Sequence, residues 1–278
     1  MRASKYLGII WKSFLDFLRD DGIMLAGSLS FFFMITIVPF CIFLVTLFGY
    51  FLGEQEELYS FISSKLASFF PKVTHEITEE LQRLVTYKGL GKLSLVLYGF
   101  LSFELFSSVQ TALNVIFKVK VKRSFIVSLI LSLIMITSIM AFVLVSFGAT
   151  SSVSMLEPLK EFFPGFRVSK ITGFFIRFVI PLVLMFTTMT TAYVLFLPKK
   201  GVKISHAAAG ALFAALFLET AKHLFTFYVM NVFRLGTIYG PLSAFVIFLL
   251  WVFYSMSIFL IGAEVAHNLE VPEGKKSD

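Results

Sequence analysis

One cysteine, Cys41, stands among 278 residues. Its solitude excludes a disulfide within one chain and any cysteine-built zinc site, and its place in an apolar run suits a small buried hydrophobe. Charge is scarce too. Only 15% of the residues are Asp, Glu, Lys or Arg, where soluble domains carry roughly 25%. Catalytic signatures are missing: there is no GxSxG, HExxH, P-loop or dinucleotide fingerprint. His75, His206, His223 and His267 are scattered, none pairing with another His or Cys at metal-ligand spacing. The expectation is a protein that is not an enzyme and needs neither metal nor cofactor.

What fills the space is hydrocarbon. The chain is 58% hydrophobic with 36 Phe, and its mean hydropathy is +0.88. Such a surface would not stay in water. The net charge of +7 lies in short basic runs between apolar segments, with no separate basic domain. Membrane lipid is therefore the expected partner and nucleic acid is not. The start, MRASKYLGIIWKSFLDFLRDDG, carries charges where a signal peptide needs an apolar core. The first spanning helix is expected to serve as its own targeting signal.

About 20 apolar residues cross a bilayer as a helix. Six runs qualify: 22–53, 93–117, 125–152, 171–197, 204–230 and 241–263. Lipid leaves their backbone groups no partner outside the segment, so they are helices. KVKVKR (118–123) and PKKGVK (198–203) are the densest basic runs between them, which places both termini inside. The predicted class is all-α, a polytopic membrane protein with six transmembrane helices, N-in and C-in. Residues 1–21 form a cytoplasmic amphipathic helix, 22–268 the transmembrane domain and 269–278 a polar cytoplasmic tail.

Two parts do not span. In the first, Leu7, Ile10, Trp11, Phe14, Phe17 and Leu18 recur at helical spacing, while Lys5, Lys12 and Arg19 repeat every seven residues on another stripe. That describes a helix in the headgroup plane facing anionic lipid, or one packed on the inner face of the bundle. The second is an outer hairpin, 54–88. Leu58, Phe61, Ile62, Leu66 and Phe69 form one apolar face; Pro71 breaks the chain; Val73, Ile77, Leu81, Leu84 and Val85 form another.

Five ionisable residues fall inside predicted spans: Glu104, Arg177, Glu219, Lys222 and His223. Charges at that depth are costly and mark functional sites by default. Counting along the helices puts Glu104 and Glu219 near the centre, with Arg177, Lys222 and His223 in a layer nearer the outside. Ala211, Ala215, Glu219 and His223 share an i,i+4 ridge, small at one end and charged at the other. Three readings compete: charges paired to order the bundle, an outward pocket for an anionic group, or a proton relay. Pro39 and Pro181 mark kinks or packing notches inside helices. Gly236 and Gly240 suit a turn before Pro241. The Asp20–Asp21 pair is expected to close the N-terminal helix.

Three stretches resemble the YihY/BrkB family of bacterial inner-membrane proteins. They are DDGIMLAGSLSFFFMITIVPF (20–40) with Pro39, SSVQTALNVIFKV (107–119) with Asn114, and YGPLSAFVIFLLWVFYSMSIFLIGAEV (239–265). The last holds Tyr239, Gly240, Pro241, Trp251, Gly262 and Glu264 in the family's order. The resemblance implies six transmembrane helices and an inner-membrane location. A ribonuclease label has circulated for the family, but the carboxylates here lie in lipid-spanning helices, which rejects a nuclease. The expected function is transport or export of an amphiphilic or anionic solute, such as a lipid headgroup. A non-transporting envelope scaffold is the alternative.

Overall fold

A computed structural model describes residues 2–36, 90–119, 179–196, 202–231 and 243–270, with isolated positions between 124 and 135. The described residues form six long helices: α1 (Arg2–Arg19), α2 (Gly22–Thr36), α3 (Leu90–Ile116), α4 (Ile180–Leu195), α5 (Ile204–Asn231) and α6 (Ser243–Glu270). The chain is all-helical there. Among the described residues, two stretches are long and apolar enough to cross a membrane, Ile204–Lys222 and Phe245–Glu270. The outer hairpin 54–88, Pro39, Arg177, Tyr239, Gly240 and Pro241 lie outside the described residues.

Two compact units divide the chain. The first holds α1, the end of α3 from Ala112, α4, α5 to Ala221 and α6 from Ile258. The second holds α2, α3 to Thr111, α5 from Lys222 and α6 to Ser257.

In the first unit, α5 turns small residues inward and large apolar ones outward, against a core that also buries Tyr193, Phe196, Leu113, Ile116 and Leu260. Along α5, Ala207, Ala211, Ala214 and Ala215 are fully buried, while Leu212, Leu216 and Phe217 are exposed. A water-soluble helix would reverse that pattern; lipid removes the penalty on exposed hydrocarbon and leaves close backbone packing to hold helices together. Gly210 and Gly262 make the closest approach. A Cβ on Gly210 would lie 2.8 Å from the Ala266 Cβ, and one on Gly262 2.6 Å from the Ala214 Cβ and 2.7 Å from the Tyr193 hydroxyl. That hydroxyl donates to the Phe259 carbonyl at 2.5 Å, tying α4 to α6. Thr187, Thr190 and Thr191 of α4 donate to carbonyls four residues back, so each hydroxyl is satisfied without water. Pro181 sits in the first turn of α4, where a missing N–H is tolerated.

In the second unit, Thr36 ties α2 to α3. Its hydroxyl lies 2.7 Å from the Phe32 carbonyl and 3.2 Å from that of Leu101. Phe225 of α5 packs on Trp251 of α6 with ring centroids 5.2 Å apart.

Two boundaries differ from the sequence reading. The last helix runs to Glu270, two turns beyond the predicted end at Ala263. Ala263 and Ala266 are fully buried there and Asn268 bonds to α1, so packing carries the helix onward. The α1 face is also divided. Leu7, Trp11, Phe14 and Leu18 are exposed, while Phe17 is buried and Ile10 half-buried. Ser13 and Asp16 join α1 to Asn268 of α6. α1 thus packs on the protein through Ser13, Asp16 and Phe17, while Leu7, Trp11, Phe14 and Leu18, and the cations Lys12 and Arg19, stay exposed. Asp21, at φ 54°, interrupts the helix after Arg19, as the Asp20–Asp21 pair suggested.

Candidate functional site

Within the first unit, α1, the end of α3 and the end of α6 bring together most of the buried polar groups. Asn268 of α6 is nearly buried; its Nδ2 donates to the Ser13 Oγ at 3.1 Å and the Asp16 Oδ2 at 3.0 Å. Ser13 is fully buried and donates in turn to the Ile9 carbonyl at 2.8 Å. One turn on, Asp20 accepts from the Lys118 ammonium in a close ion pair.

Lys118 is held in an unusual way. It has φ 54°, the left-handed region, at the end of α3. The Val119 N–H bonds the Asn114 carbonyl at 2.8 Å and the Lys118 N–H bonds that of Val115 at 3.1 Å. This paired closure is the Schellman motif, whose left-handed position glycine normally takes. A lysine there costs roughly 1–2 kcal/mol of backbone strain. The offsetting gains are its pairing with Asp20 and its position beside the carbonyl-rich end of the helix.

Glu264 sits in the same cluster and is fully buried. Neither of its carboxylate oxygens meets an N–H or O–H donor among the described residues, although the Asp20 carboxyl lies within hydrogen-bonding reach and would donate if protonated. The charges acting on it are Asp20 and Asp16 from α1, with Lys118 from α3. Asn114, one turn before Lys118 on α3, has a buried Oδ1 that is likewise without a donor. Buried acceptors are almost always satisfied, and each exception calls for an explanation. The adjoining residue His267 lies edge-on to the Phe117 ring at 5.4 Å. A separate contact, His206 Nδ1 to Glu270 Oε2 at 2.5 Å, joins the start of α5 to the end of α6.

The five intramembrane charges read from the sequence are distributed as follows. Glu219, half-buried, belongs to the first unit on the ridge whose members Ala211 and Ala215 are fully buried. Glu104 and Lys222, both half-buried, belong to the second unit. His223 lies in α5, and Arg177 outside the described residues. Of the motif residues, Gly262 forms the tight α5 contact, Trp251 stacks on Phe225, and Asn114 and Glu264 are the two with orphaned buried oxygens.

Sequence reasoning undervalued Lys118, counted only as a loop cation, and Glu264, noted only within a motif. A carboxylate in the otherwise apolar stretch IGAEVA was the available signal.

Small residues turned inward and large apolar residues outward along α5, with a charged cluster buried among helices, define a helical membrane protein. The chain belongs to the virulence factor BrkB family, whose pattern matches residues 13–278. A UPF0761 membrane protein of Vibrio parahaemolyticus is 32% identical, covering 91% of this chain and 79% of that protein. One from Idiomarina loihiensis is 31% identical over 94% of this chain and 95% of its own length. A third, from Aliivibrio fischeri, is 30% identical over 96% and 86%. No solved structure matches the chain.

Proposed function

We propose that this protein crosses the inner membrane six times, with both termini cytoplasmic, and moves an amphiphilic or anionic solute such as a lipid headgroup. The observation behind this reading is Glu264, a fully buried carboxyl with no hydrogen-bond donor and with two further carboxylates acting on it. A helix pair selected for stability alone would do better with an apolar side chain there, because an unsatisfied buried acceptor costs about 1–3 kcal/mol. By the predicted topology Glu264, with Asp20 and Lys118, lies at the cytoplasmic end of the helices, where a buried ionisable group kept despite that cost suits the inner mouth of a passage. Glu104, Arg177, Glu219, Lys222 and His223 are the residues read from the sequence as the binding and translocation set.

A scaffold is the second reading. It is favoured by the Gly210 and Gly262 contact, which fixes α5 against α6 with no room to slide. Thiol accessibility separates the two. Single cysteines at 211, 215, 219 and 223, in a Cys41→Ser background, are exposed in intact cells to an impermeant reagent applied from outside. Transport predicts labelling at 219 and 223, and none at 211 and 215, whose native alanines are fully buried. Stable expression with no labelling at 219 or 223 would contradict an outward-opening passage and leave the scaffold.

A further inference from the structure

The buried cluster of α1, α3 and α6 is over-acidic. Asp16, Asp20 and Glu264 are met by two cations: Lys118, already paired with Asp20, and the largely exposed Arg19, 3.9 Å from the Asp16 carboxylate. A further basic residue of α1, Lys12, is exposed and, like Lys118, acts on His267. Lys203, His206 and Glu270 form their own contact at the start of α5. Among the described residues, no cation pairs directly with Glu264, and burying a carboxylate without a partner is very costly.

What the site lacks is a donor. Among the described residues, no three His, Cys, Asp or Glu side chains converge closely enough to hold a metal ion. We propose that Glu264 carries a proton and passes it to Asp20 when the Lys118 ammonium moves from Asp20 to Glu264. The exchange balances. Before it, Glu264 is a neutral acid and Asp20 a carboxylate paired with Lys118; afterwards, Glu264 is the paired carboxylate and Asp20 the neutral acid. One O–H bond breaks on Glu264, one forms on Asp20, and no net charge enters the buried region.

Two features equip the cluster for this step. The exposure gradient gives it a direction: the Glu264 side chain is sealed, the Asp20 side chain is 16% exposed and that of Lys118 43%. A proton reaching Asp20 is therefore close to solvent. Lys118 also stands on a strained left-handed residue at a helix end, which places its long side chain beyond the last turn of α3. Strain of this kind clusters at switching sites. The inference draws on the same buried Glu264 that supports the transport reading, but its infrared test reads the proton whether or not the protein transports.

Infrared spectroscopy of the full chain in nanodiscs tests it through the C=O stretch of a protonated carboxyl. At neutral pH the wild type should show such a band, shifting in D2O, and Glu264→Gln should lose it. Asp20→Asn frees Lys118 to pair with Glu264, so its band should vanish at lower pH than in the wild type. Lys118→Met removes the competing cation, so its band should survive to higher pH. Those two variants leave Glu264 itself untouched if Glu264→Gln fails to fold. Absence of the band from the wild type, or its persistence in Glu264→Gln, would overturn the proton. Identical pH midpoints in the wild type, Asp20→Asn and Lys118→Met would overturn the exchange with Lys118.

Discussion

Glu264→Met raises the thermal midpoint of the purified protein and abolishes whatever flux the wild type supports. The carboxyl occupies a fully buried position, its oxygens lack donors, and Asp16 and Asp20 add like charge. Methionine nearly conserves the volume and removes both penalties. Removing an unsatisfied buried polar group in favour of an apolar one of the same shape is neutral to stabilising. The expected gain is about 1–3 kcal/mol, the desolvation cost of one such group. The Lys118–Asp20 pair stays in place, so the gain has no obvious offset. Unfolding followed by tryptophan fluorescence in detergent reads the midpoint. A lower midpoint would mean that Glu264 holds a stabilising bond, and its part as a functional site would then lose its main support. Stability gained with function lost is the usual trade at a working site.

Gly210→Leu has the opposite effect and a larger one. A Cβ at 210 would meet the Ala266 Cβ at 2.8 Å and the Ala266 backbone N at 3.0 Å, alongside the Gly262 carbonyl. Backbone atoms of a packed helix cannot rotate aside as a side-chain tip can. Overpacking in a tight core costs 1–3 kcal/mol and at times more, and here about 3 kcal/mol or above is expected. Against a total stability of about 5–15 kcal/mol, that is enough to cut folded yield severely. Leucine is the better helix former by roughly 0.8–1 kcal/mol, so an unchanged or higher yield would show that α5 and α6 do not meet at this glycine. Size-exclusion profiles of the two proteins at equal expression make the comparison.

The long apolar runs were the most legible part of the sequence, because membrane helices advertise themselves by composition. The predicted 93–117 and 204–230 compare with α3 at Leu90–Ile116 and α5 at Ile204–Asn231. The small-residue ridge on α5 was legible for the same reason: alanines at i,i+4 have little use except close packing. Faces were harder. Periodicity grouped Phe17 and Ile10 with Leu7, Trp11, Phe14 and Leu18, but nothing local tells an inward apolar side from an outward one when both surroundings accept hydrocarbon. The charged cluster was the least legible. Lys118 reads as a loop lysine until the left-handed end of α3 aims it at Asp20, almost a hundred residues earlier in the chain. Asp20 read as a helix terminator, and the break at Asp21 agrees with that, while its bond to Lys118 is a long-range fact.

Lipid movement in proteoliposomes tests the transport reading most directly. Vesicles carrying headgroup-labelled zwitterionic or anionic phospholipids are treated with impermeant dithionite, which bleaches only label on the outer leaflet. The wild type is expected to expose inner-leaflet label of at least one headgroup class, and Glu219→Gln and Glu264→Met to return the signal to that of empty vesicles. Inner-leaflet label protected equally in wild-type and empty vesicles, for both headgroup classes, would contradict passage of a lipid headgroup and favour the scaffold.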